Sequence, residues 1–126
     1  MYKVEIKTGP EGTFIAKSIN YEFVIGTQDK GMSPPEILLA SLGSCIAVYI
    51  RKYAKGSNVT LENFTINVEA EFVKEPPICF KEIKISIDLG NIKLDERRKK
   101  ALLEFIKNCP VHNTLKAKPD IAIQIL

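Results

Sequence analysis

Three cysteines, one histidine and one glutamate hold the reactive chemistry of this sequence. Cys45 sits in Gly43-Ser44-Cys45, small residues in the middle of a long apolar stretch. Small side chains let another backbone or a substrate approach a thiol closely. Cys109 precedes Pro110. Proline favours the first position of a helix, so Cys109 is expected at a helix N-cap. A thiolate there meets free N–H groups and the positive helix end, which should lower its pKa. His112, three positions on, is placed to tune that thiol or to carry protons. The plain alternatives stand beside these readings. A single cysteine is commonly a small buried hydrophobe, and a lone histidine is commonly structural. The plain reading suits Cys79 best, at the entry of a strand. Cys45, Cys109 and His112 make at most three ligands for zinc, and no fourth suggests itself.

The elements that must position these groups are legible from patterning. Tyr2, Val4 and Ile6 alternate with Lys3, Glu5 and Lys7, the period of a half-buried strand. Gly9–Gly12 reads as a turn, and Thr13–Ile19 and Tyr21–Ile25 complete an antiparallel meander. Ser33, Pro34 and Glu36 form a capping box that opens a helix over Ser33–Lys55. From Ile37 to Ile50 this helix has no charge on any face, which predicts burial on all sides. The uncharged run spans about 21 Å, too short for a bilayer crossing. It reads as a central core helix. Glu36 lies about 13–14 Å from Cys45 along a regular helix, so it serves the cap itself or acts at the site on a partner subunit's thiol or through an intermediary.

Phe64–Phe72 and Phe80–Leu89 alternate as two strands with one wet face each. Asp95 caps a second helix over Glu96–Lys107, and Pro110–Leu115 is a short third helix. Asp120–Leu126 is expected to close the chain as an apolar strand. The whole is an α+β fold in a single domain, residues 1–126. One antiparallel sheet covers only part of a helix that is apolar all round. A homodimer with paired core helices is therefore expected.

Composition narrows the function. The chain has 126 residues, 45% hydrophobic and 26% charged, with a net charge of +3. That excess is too small and too scattered to imply nucleic acid or membrane binding. Arg97-Arg98-Lys99-Lys100 reads as a solvated helix face. An odd cysteine count argues against a disulfide framework. The first residues lack the basic-then-apolar form of a signal peptide, so a cytoplasmic location is expected.

The assembled motifs resemble the OsmC/Ohr family of thiol peroxidases. Ser33–Cys45 is similar to that family's Pro-Glu-x-Leu-x-Ala…Cys helix, and Cys109–Leu115 to its Cys-Pro-x-x-Asn/Ser-x-Leu segment. The resemblance implies an intertwined homodimer whose antiparallel sheets wrap buried central helices. It implies reduction of organic hydroperoxides, with Cys45 attacking, Cys109 resolving and Glu36 at the site. It implies regeneration by an external dithiol or lipoyl-type reductant, and no bound metal, haem or flavin. The best-understood branch also places an arginine on an N-terminal strand. This chain has none before Arg51, which lies off the Cys45 face of its helix; Lys17 is the nearest cation by element. A second reading keeps the dimer but makes it a binder of an apolar small molecule, without peroxidase activity.

Overall fold

The computed structural model describes all residues, Met1–Leu126, as two compact units. The first is Met1–Leu39 and the second Ala40–Leu126.

The first unit is a meander of β1 (Glu5–Thr8), β2 (Thr13–Lys17) and β3 (Glu22–Gly26), antiparallel in that order. Ile6 pairs with Ala16 and Ala16 with Phe23, so these side chains share a face. Ala16 is buried, whereas Ile6 and Phe23 are more than half exposed. The capping box forms as expected. The Ser33 N–H donates to Glu36 Oε1 at 3.0 Å, and the Glu36 N–H donates back to Ser33 Oγ at 3.4 Å.

Helix α1 (Pro34–Gly56) begins here and runs on through the second unit. At 23 residues it is long and apolar enough to cross a membrane by length and composition. The length argument against a membrane span therefore fails. The packing is what makes α1 a core helix. Leu42, Ile46, Ile50 and Ala54 recur at helical spacing and are buried. They pack on Leu61, Leu94, Leu102, Ile106 and the half-buried isoleucines of the sheet. Burial on all sides does not occur within one chain: Leu38 and Val48 remain exposed.

The second unit's sheet pairs β4 (Thr65–Phe72) with β5 (Phe80–Asp88), antiparallel. Ile66, Val68, Ile83, Ile85 and Ile87 point inward, as their alternation predicts. A register shift after Ala70 ends that pattern and leaves Phe72 exposed, stacked on Phe80. Helix α2 (Glu96–Ile106) is capped by Asp95, whose carboxylate accepts the Arg98 N–H at 2.8 Å. Helix α3 (Pro110–Ala117) follows. Lys118–Leu126 forms no strand. Its alternating Ile121, Ile123 and Ile125 are all more than 80% exposed. The expected strand fails because no edge within this chain receives it.

Gly43 shows how tightly α1 lies on β4. A Cβ there would sit 2.9 Å from Val68 Cγ2. The close approach expected at this glycine is thus to a strand's side chain. Gly43→Leu should lower stability by about 1–3 kcal/mol or more through overpacking. Urea unfolding would show it, and an unchanged midpoint would disprove the contact.

Candidate functional site

The α2–α3 junction sets the position of Cys109. The Cys109 N–H donates to Ile106 O at 3.1 Å, and its carbonyl accepts the Asn113 N–H at 3.0 Å. The side chain is the N-cap of α3, with Sγ accepting the His112 N–H at 3.4 Å. Pro110 follows at the first helical turn, where no N–H is required. Cys109 is fully buried, at 0% exposure.

Cys45 lies on α1, half-buried and packed against the same core. The Cys45 thiol lies near enough to Cys109 to act on its titration, and both sulfurs are free. Burial first, then the neighbouring Cys45 thiol, push the Cys109 thiol above its ordinary range. The N–H groups of His112 and Val111 pull the other way and are outweighed. The expectation that the helix end lowers this pKa is corrected here: a fully buried sulfur loses more from desolvation than two amides return. The folded state holds this proton more tightly than the unfolded chain. Its contribution to stability is complete below about pH 8.5 and fades as pH rises through the raised folded value.

This geometry orders the three thiols. In reduced native protein at pH 8, iodoacetamide should label exposed Cys79 readily and leave Cys109 unlabelled until urea is added. Peptide mass spectrometry reads the result, and early labelling of Cys109 would contradict its burial.

The other candidates fall as follows. Glu36 Oε1 accepts from both the Ser33 N–H and the Ser33 Oγ–H, which holds its carboxyl below the usual range. Within its own chain this exposed carboxylate serves as a cap. Lys17 is exposed at the end of β2, opposite Glu22. The His112 ring lies 3.3 Å from Asn113 Oδ1 through Nδ1. Cys79 contributes its carbonyl to the Val73 N–H. No three His, Cys, Asp or Glu side chains of this chain converge as a metal-holding group.

Patterning does not reveal a cavity of about 180 Å³ between α1, β5, α2 and α3. Its walls are Ile46, Ile85, Ile87, Leu103 and Ile106, and its polar lining is Lys107 and His112. Four elements contribute, so no single stretch of sequence signals it. Neither Cys45 nor Cys109 lines it.

The family model for OsmC-like proteins matches residues 26–124. The chain belongs to this family. A hydroperoxide reductase of Mycoplasma genitalium is similar at 24% identity, over 98% of this chain and 93% of that protein. Among solved structures, an OsmC-like protein from Mycoplasma pneumoniae superposes with a TM-score of 0.78 at 21% identity. That match covers 92% of this chain and 87% of the other. A protein from Aquifex aeolicus matches with a TM-score of 0.75 at 26% identity, over 95% and 90% of the two chains. The α+β architecture with antiparallel sheets is the OsmC fold.

Proposed function

We propose that this OsmC-family chain is a thiol peroxidase that reduces organic hydroperoxides through Cys45 and Cys109. The observation that supports it most is the closeness of a half-buried and a fully buried free thiol from separate elements, near enough for one to shift the titration of the other. The family and the similar hydroperoxide reductase support a redox or peroxidase role at family level.

The Cys45 thiolate attacks the distal peroxide oxygen. The O–O bond breaks, the alkoxide takes a proton and leaves as the alcohol, and Cys45 becomes a sulfenic acid. Cys109 then attacks the Cys45 sulfur. An S–S bond forms, and the Cys109 proton leaves with the sulfenic hydroxyl as water. An external dithiol, lipoyl-type or other, returns both cysteines to thiols. Cys109 suits the second role because burial and the neighbouring Cys45 thiol hold its proton until it is needed. Glu36 acts, in this reading, on a partner subunit's site. The working form is a cytoplasmic homodimer.

Titrating free thiols before and after one equivalent of cumene hydroperoxide tests the proposal. Loss of two thiols per chain is expected. No loss would overturn it and favour the second reading, a binder of an apolar small molecule, for which the cavity speaks.

A further inference from the structure

The cavity between α1, β5, α2 and α3 has a composition that redox chemistry does not require. Five of its lining residues are aliphatic, from α1, β5 and α2. The other two, Lys107 and His112, flank the α2–α3 junction. The cavity is therefore apolar through its body and basic at the junction. A small ligand pocket is ordinarily apolar with a few polar groups that fix orientation. Here both polar groups can carry positive charge, and no acidic residue lines the cavity.

The size limits the guest. At roughly 30 Å³ per water-sized group, the volume holds about six such groups. An aliphatic tail of five or six carbons fits the walls. The nearest acid to Lys107 is Glu104, which accepts from its Nζ at 3.1 Å. Both side chains of that pair are more than 60% exposed. Exposed pairs of this kind hold weakly, so Lys107 is free to exchange its partner for a ligand's carboxylate.

We propose that this cavity is a binding site for a small aliphatic carboxylate, with the tail against Ile46, Ile85 and Ile106 and the carboxylate held by Lys107 and His112. Binding needs no redox step, so the site stands or falls separately from the peroxidase reading. Charge complementarity selects the anion over a neutral molecule of equal shape. Glu104 acts against the site by competing for Lys107.

Hexanoate and its neutral isostere hexanamide are the probes. The reduced full-length protein is titrated with each, following amide chemical shifts. Hexanoate should shift the amides of Ile46, Ile85, Ile106 and His112 and bind about tenfold more tightly than hexanamide, a difference of about 1.4 kcal/mol. Lys107→Gln should erase most of that preference. Glu104→Gln should increase hexanoate affinity several-fold and leave hexanamide unchanged. Both substitutions lie on the exposed surface and are compatible with folding. Equal affinity for the two probes would overturn the proposal. So would an unchanged preference in Lys107→Gln, shifts confined to other residues, or no binding because a second copy's side chain fills the cavity.

Discussion

Cys45→Ser should abolish hydroperoxide reduction, while Cys109→Ser should permit a single oxidation and then stop. The difference follows from where the sulfurs sit. Cys45 is the half-buried member of the pair and Cys109 the fully buried one. An entering peroxide therefore meets Cys45 first. Removing that sulfur leaves no accessible attacking group at the pair. Removing Cys109 leaves the first step intact but strands Cys45 as a sulfenic acid, prone to further oxidation. Serine at 109 keeps an oxygen that can accept the His112 N–H, and serine is a favoured N-cap. Loss of turnover in Cys109→Ser then reads as lost chemistry and not as a lost helix. Peptide mass spectrometry after peroxide treatment decides the matter. Wild type should carry a Cys45–Cys109 bridge with Cys79 free. A bridge to Cys79, or undiminished peroxide consumption by Cys45→Ser, would refute the assignment.

Sedimentation at micromolar concentration should give a mass of about twice 14.1 kDa, and Val48→Glu should reduce it to that of one chain. Val48 is 49% exposed on the helix that the sequence makes uncharged from Ile37 to Ile50. In a monomer, a glutamate at so exposed a site would change stability by no more than about 0.5 kcal/mol. In a dimer joined along this helix, it would bury an unpaired charge, which is strongly unfavourable. Further apolar surface is bare elsewhere. Ile6 and Phe23 share an open face of the first sheet, and Ile121, Ile123 and Ile125 stand in solvent. Large exposed apolar surface of this kind marks an interaction site. A monomeric wild type, or an unchanged mass in Val48→Glu, would end this argument.

Much of this was legible before any coordinates. The Ser33, Pro34 and Glu36 signals announced the start of α1, and Cys109-Pro110 announced the cap of α3, because caps depend on neighbours close in sequence. The β1–β3 meander and the β4–β5 pair follow from period-two alternation. What escaped depends on distant partners. The alternation of Ile121–Ile125 predicts a strand, but a strand needs an edge to join. The helix end at Cys109 predicts a lowered pKa, but burial reverses the sign. That Cys45 and Cys109 belong together came from the family resemblance and not from their spacing. The cavity at Lys107 and His112 needed four elements in place.

The cap at position 109 has a consequence for engineering. Serine, asparagine and aspartate outrank most residues at helix N-caps, and a thiol is a weak acceptor. The only side-chain acceptor for the His112 N–H is a sulfur at 3.4 Å. The fold thus holds a weaker cap at this position than serine would give, and the proposed resolving role is a reason to keep the thiol. A selection for thermal resistance alone would drift toward Cys109→Ser, and its winners would be firmer proteins without the thiol that the proposed cycle needs. Screens on this chain should score turnover and melting together.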